Sequence, residues 1–282
     1  MSDRTRIRKL PPGWYPVGAT ELNEAVRELE QERSRFESAD SSRAVVVPHA
    51  GWAFSGALAY ATLCSLAPDL DCIAVVGGHL RPGDPIHVAL EDRFETPLGH
   101  LQAAETARRR LREALQLVED REVDNSVEVQ LPLVKKLFPQ AQLLYLRAPP
   151  DEQALRLAEQ LAEVARQTNS RLGVVGSTDL THYGAGFGFT PHGPAAEAVD
   201  WVKRENDPSA IEPLLQLDPH AALEAAISNR AACSMGAGAC AARYAQLCGS
   251  AAGKLVGYYT SFDVIGGDTI VGYAGIAFEN PV

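Results

Sequence analysis

Leu172-Gly173-Val174-Val175-Gly176-Ser177-Thr178-Asp179-Leu180-Thr181-His182-Tyr183 is the stretch that decides the fold. It begins as a short apolar run of the kind that fills a fully buried strand, then breaks at a glycine into polar side chains capable of chemistry. The same change occurs twice more. Val45-Val46-Val47 runs into Pro48-His49-Ala50-Gly51, and Ile73-Ala74-Val75-Val76 runs into Gly77-Gly78-His79. In open α/β sheets ligands bind outside the carboxyl ends of the strands. Three strands of this type therefore deliver an imidazole each to one rim, and the adjoining glycines let the backbone approach closely.

Working outward, strand-like runs alternate with helical ones. Strands are expected at 44–47, 73–76, 86–90, 142–147 and 171–175, and helices at 56–66, 104–115, 152–167, 195–204, 220–227 and 238–247. The chain closes with strands at 254–262 and 269–278, joined by a hairpin with Gly266-Gly267 at its tip. This alternation predicts a single layered α/β domain over residues 1–282, with a mainly parallel central sheet flanked by helices. Residues 1–12, with Arg4, Arg6, Arg8 and Lys9 ahead of Pro11-Pro12-Gly13, read as a flexible, solvated basic terminus.

Composition narrows the function. Of 282 residues 46% are hydrophobic and 22% charged, which excludes disorder as the main state. The longest apolar runs fall far short of the roughly 20 residues of a membrane-spanning helix. With 26 Lys and Arg against 36 Asp and Glu, the formal net charge is −10 at pH 7, which disfavours phosphate backbones. The expected partner is a small-molecule substrate, not nucleic acid or a membrane; no oligomeric state follows. Five cysteines without CxxC spacing point to a reducing, cytoplasmic setting and away from a disulfide framework.

One histidine after a strand is usually a packed, hydrogen-bonded residue; His49, His79 and His182 at equivalent strand ends point to a shared site. His87 and His220 read as strand or surface residues, and His100 and His192 stay open. A metal is the simplest reason to gather neutral imidazoles, and two histidines plus one anionic ligand leave positions for substrate, water or dioxygen. Cys233 and Asp179 are the anionic candidates, although most unpaired cysteines are small buried hydrophobes. Gly236-Ala237-Gly238-Ala239-Cys240-Ala241 fits a dinucleotide pattern, but it follows a helix-like segment and has Tyr258 where an acid is required. Its small residues suit tight helix packing. Ala232-Cys233-Ser234-Met235-Gly236 misses the nucleophile-elbow pattern at its first position. At Asn125-Ser126-Val127-Glu128, Asn125 as a helix cap would put Glu128 in a capping box, with Pro132 pushing the helix start later.

Taken together, Gly13-Trp14-Tyr15-Pro16, the block from Pro48 to Gly56, Gly77-Gly78-His79, Thr96-Pro97-Leu98-Gly99, the block from Asn125 to Pro132, Ser177 to Tyr183 and Val271-Gly272-Tyr273-Ala274 resemble the Memo-like family, also called AmmeMemoRadiSam system protein B. The resemblance spans nearly the whole chain. It implies the α/β fold of the class III extradiol ring-cleaving dioxygenases, which use non-haem iron. It also implies metal ligands at His49, His79 and Cys233, and an acid/base at His182 with Asp179 beside it to orient the ring. The sequence departs from the family at Asn125, where a histidine is usual, at Ser234 after the cysteine, and at His100. An amide can hydrogen-bond but cannot transfer a proton near neutral pH.

The resulting expectation is an Fe(II)-dependent oxygenase or oxidase acting on a small aromatic or phenolic molecule, with copper or zinc as alternative metals. Trp52, Asn125, Glu128 and Tyr183 would shape the substrate pocket. The alternative from another class is a non-catalytic metal- or peptide-binding scaffold, and a zinc-dependent hydrolase stands third.

Overall fold

Four apolar runs lie side by side at the centre of the chain in a computed structural model, which describes residues 4–39 and 41–279. The strands are β1 (Thr5–Arg6), β2 (Ala44–Val47), β3 (Cys72–Gly77), β4 (Ile86–Val88), β5 (Arg93–Thr96), β6 (Gly99–Gln102), β7 (Leu117–Glu119), β8 (Gln142–Arg147), β9 (Leu172–Ser177), β10 (His182–Tyr183), β11 (Gly253–Thr260) and β12 (Ile270–Phe278). The large sheet runs β10-β12-β2-β9-β3-β8-β4-β7, with β11 also on β12, and β1-β5-β6 form a smaller sheet. Its centre, β2-β9-β3-β8, is parallel as expected. The flanks are antiparallel, β12 against β2 and β4 against β8, so the sheet as a whole is mixed.

Side chains alternate across the central strands and build a core on each face. Val46, Ala74, Val76, Leu144 and Val174 pack beneath the helices Glu152–Thr168 and Met235–Leu247. Val45, Val47, Ile73, Val75 and Val175 pack on the opposite face with the helix Trp52–Leu63. That helix is apolar almost all round because the amphipathic helix Ala19–Glu32 covers its outer side, burying Leu22, Val26 and Leu29 at helical spacing.

The small-residue stretch at 236–241 packs tightly, as its composition suggested. A Cβ at Gly236 would lie 2.3 Å from the Pro149 carbonyl oxygen, and one at Gly176 would lie 2.4 Å from that of Ala237. Contacts this close exclude any side chain, so helix Met235–Leu247 is pressed against the strand ends.

Several expectations need correction. Residues 4–12 are not a solvated tail, and 1–3 lie outside the described residues. β1 pairs with β5, Arg6 is buried with its guanidinium donating to the Asp120 and Glu122 carbonyls, and Lys9 and Leu10 donate their backbone N–H groups to Glu128. The helix expected at 195–204 is Ala195–Trp201 followed by a π turn at Val202–Asn206 and a further helix, Asp207–Leu215. Gly266 and Gly267, at φ +66° and +109°, do not form a tight hairpin tip. They terminate a short helix, Ser261–Ile265, whose start is closed by a Thr260/Asp263 capping box.

Candidate metal centre

Because β2, β9 and β3 are parallel neighbours, their carboxyl ends open on the same rim. β2 leads into His49 and β3 into His79, one on each side of β9. The turn after β3 is possible only with glycine. A Cβ at Gly77 would lie 2.1 Å from Ser126 Oγ, and one at Gly78 would lie 2.5 Å from Ser234 Cβ. His79 itself sits at φ +58°, a left-handed conformation that is costly for a residue with a side chain. It is held there by its backbone N–H on Ser234 Oγ at 3.2 Å and by its ring on Asp124.

Ligand atoms of His49, His79 and Cys233 all lie within 4.8 Å of one another. His49 Nε2 is 3.2 Å from Cys233 Sγ, and the two imidazoles meet edge to face with centroids 5.0 Å apart. Each ring is fixed through its other nitrogen. His79 Nδ1 is 2.8 Å from Asp124 Oδ2; a carboxylate only accepts, so Nδ1 carries a proton and Nε2 is the nitrogen left for a metal. His49 Nδ1 meets Ser177 Oγ at 3.3 Å, and that hydroxyl also accepts from Gln130 Nε2 at 3.1 Å.

These groups polarise one another. Burial alone would raise the Cys233 thiol, but the charge and hydrogen bond of His49, assisted by His79 and His182, hold it well below the ordinary thiol range. Burial disfavours a charged His79, yet hydrogen bonds to Asp124 and Cys233 outweigh it and push its pKa up to about 10. His49 moves upward too, its burial penalty overcome by Asp179 and Cys233. The neighbouring imidazoles thus hold Cys233 toward its thiolate form, the form that binds a cation.

The donor set fits a metal ion. Typical metal–sulfur and metal–nitrogen distances of roughly 2.3 and 2.0–2.1 Å imply N···S separations of about 3.1 Å at a right angle and about 3.6 Å in a tetrahedron. The observed 3.2 Å lies in that span.

His182, on β10, stands at the same rim and half-exposed. Its Nδ1 is 3.0 Å from the Leu180 carbonyl oxygen, which can only accept, so Nε2 is the basic nitrogen of the neutral ring. Asp179 does not orient this imidazole. The side chain turns to β2, where Oδ1 accepts the His49 backbone N–H at 2.6 Å. Asn125 also braces His49, donating Nδ2 to its carbonyl at 3.2 Å.

The other residues expected in a substrate pocket are held by defined contacts. The Glu128 carboxylate accepts from the Lys9 and Leu10 amides and the Tyr15 hydroxyl, clasping the N-terminal segment. The helix N-cap is Asp124, which accepts from Ser126 N, so Asn125 caps nothing. Tyr183 is fully buried, its hydroxyl donating to the Gly193 carbonyl and accepting from His192 N. Trp52 is buried against Tyr15, with its indole N–H on the Val129 carbonyl.

Sequence reasoning missed Asp124, whose place one residue before Asn125 offered only a helix-cap signal. It also missed Arg147 at the end of β8, fully buried, which donates to Asp120 at 3.0 Å, Asp124 at 3.3 Å and Glu122. Arg147 thereby supports the carboxylate that holds His79. A third omission is the π turn, which brings Asn206 Nδ2 to Thr181 Oγ1 and Asp207 Oδ1 to Thr181 N, pinning the residue before His182.

Among the described residues, no helix is long and apolar enough to cross a membrane. A family model described as Memo-like protein matches residues 9–277. A MEMO1 family protein of Pyrococcus furiosus is 30% identical, over 94% of this chain and 96% of its own length. MEMO1 family proteins of Archaeoglobus fulgidus, at 29%, and Nitrosopumilus maritimus, at 27%, align over 97% and 94% of this chain and 99% and 96% of their own lengths. The matches extend across all the strand-end blocks that build the rim, and the chain belongs to the Memo-like family.

Proposed function

We propose that this chain is a non-haem metal-dependent oxidoreductase, with Fe(II) held by His49, His79 and Cys233, that acts on a small phenolic or other aromatic molecule in a reducing, cytoplasmic setting. One observation carries the reading: two imidazoles with fixed outer nitrogens and a cysteine sulfur converge beside a further imidazole that no described residue binds through Nε2. The metal would supply Lewis acidity and a route for electrons between substrate and dioxygen, and the thiolate donor would increase its electron density.

The chain's own residues do the rest. His182 Nε2 takes the proton of a substrate hydroxyl, while the Leu180 carbonyl keeps Nδ1–H in place and so fixes the direction of transfer. The Thr181 clamp from Asn206 and Asp207 holds that ring at the rim. Phe187, edge-on to His182 with centroids 4.9 Å apart, offers an apolar wall for an aromatic ring.

The test is anaerobic loading with Fe(II), Cu(I) or Zn(II) in parallel, followed by oxygen uptake and product analysis over a panel of phenols. The reading predicts turnover with Fe(II), lowered at least hundredfold in His182→Gln while the metal is retained. Metal retention without oxygen uptake across the panel would replace it with the non-catalytic scaffold; anaerobic hydrolysis with Zn(II) would replace it with a hydrolase.

A further inference from the structure

A concave region lies apart from the metal centre and contains none of His49, His79, His182 or Cys233. It is a groove of about 1160 Å³ between the segment 12–17, the helix Ala19–Glu32, the start of helix Trp52–Leu63 and β11. That volume exceeds the roughly 300–1,000 Å³ of sites built for small molecules. Its walls are aromatic: Trp14, Phe36, Phe54, Tyr258 and Tyr259 line it half-exposed, with Phe36 stacked on Tyr259 at 6.4 Å. Its charge is one-sided. Glu21, Glu28, Glu32, Glu37 and Asp263 line it against a single cation, Arg35, which is paired to Glu32 at 2.7 Å. Among the described residues Glu21, Glu28 and Glu37 have no ion-pair partner, whereas Asp263 is matched by Lys203 from outside the lining.

Exposed ring faces and unneutralised carboxylates attract the same kind of ligand, an organic cation carried on an apolar stem. We infer that the groove docks a basic peptide segment, its Arg or Lys heads meeting Glu21, Glu28 and Glu37 and its apolar side chains lying on the rings. The volume favours several linked residues over one small cation. A second copy of this chain is disfavoured, because its formal charge of −10 would bring two acidic surfaces together. The inference stands independently of the chemistry proposed for the metal centre.

The experiment uses the full chain and a fluorescein-labelled octapeptide of alternating arginine and leucine, followed by anisotropy at low salt. Saturable binding is expected, weakened at least tenfold in Glu21→Lys/Glu28→Lys and at least threefold in Phe36→Ala. Replacing arginine by citrulline in the peptide should abolish it. The control Glu113→Lys/Glu224→Lys reverses two exposed charges outside the groove and should stay within twofold of the wild type. Circular dichroism confirms that each variant is folded. Absence of saturable binding, or equal weakening in both charge-reversal pairs, overturns the inference. So does full displacement of the peptide by spermine at equal charge concentration, which would assign the groove to small polycations. Self-association of the chain that Glu21→Lys/Glu28→Lys abolishes would assign it instead to a second copy.

Discussion

Among the described residues, two clusters bring a histidine and two further ligand-type side chains within 4.8 Å, and they differ in what else is there. His49, His79 and Cys233 converge with no lysine or arginine bonded to any of the three among the described residues. His87, Asp120 and Glu122 surround the buried guanidinium of Arg147, which lies 3.1 Å from His87 Nδ1 and 3.0 Å from Asp120 and also pairs with Glu122. The register of β4 on β8 places His87 directly opposite Arg147, so this second cluster was built around an arginine. Proximity of ligand atoms alone therefore does not mark a metal site. The deciding feature is whether the positive charge is already supplied by the chain.

The largest way to break this contrast is to remove the built-in cation. Arg147→Met takes from Asp120, fully buried, the closer of its two ion-pair partners, leaving Arg6 at 3.7 Å, and also unpairs Asp124 from the guanidinium; it should lower stability by about 3 kcal/mol, read from urea unfolding. A loss below about 1 kcal/mol would mean that the guanidinium is not what organises that cluster. The converse change acts on the other site. Cys233→Ala should weaken divalent-metal affinity more than hundredfold in competition with a chelator, whereas Glu122→Gln should leave it unchanged. Equal effects of the two would erase the distinction.

A third buried carboxylate sharpens the comparison. Asp124, despite burial, is drawn down to about 2 by its hydrogen bond to His79 and by Ser126 and Arg147. Asp207 has no ion pair among the described residues, and burial pushes it up to about 6 against hydrogen bonds from Thr181 and Tyr258. A raised carboxyl pKa favours folding fully below the unfolded value near 3.9, and that contribution is lost as pH rises through about 6. Relative to Asp207→Asn, the wild type should lose about 2 kcal/mol between about pH 4.5 and 7.5. Parallel stability curves for the two proteins would contradict this. The smallest effect is expected at Asp124→Asn, which keeps the shape but not the charge facing His79 Nδ1. Metal affinity should fall about tenfold, and His182→Gln, which touches no proposed ligand, should not reproduce that fall.

What the sequence disclosed follows from the range of the interactions. Buried strands that end in glycine and histidine are local patterns, so β2, β3 and β9 and the rim at their ends were legible from short stretches. Cys233 was one of two anionic candidates, and only family resemblance set it above a buried small hydrophobe, because a lone cysteine carries no local signal. Side-chain partners set by register were not legible. Asp179 turns to the His49 backbone because β9 lies beside β2, and Asp124 reaches His79 across 45 residues. Glu128 read as a helix cap or a site residue from its spacing, yet it closes on Lys9, 119 residues away. β1 has only two residues and is defined by its pairing, so the basic N-terminal stretch read as solvated.

The central claim is that two imidazoles and one thiolate of this chain hold a single ion. Titration of the full chain with Co(II) under anaerobic conditions tests it most directly, because a cobalt–thiolate bond gives a charge-transfer absorption band. The band should saturate at about one ion per chain, vanish in Cys233→Ala and persist in Glu122→Gln. A wild-type protein without that band, or a Cys233→Ala spectrum identical to the wild type, would contradict the account.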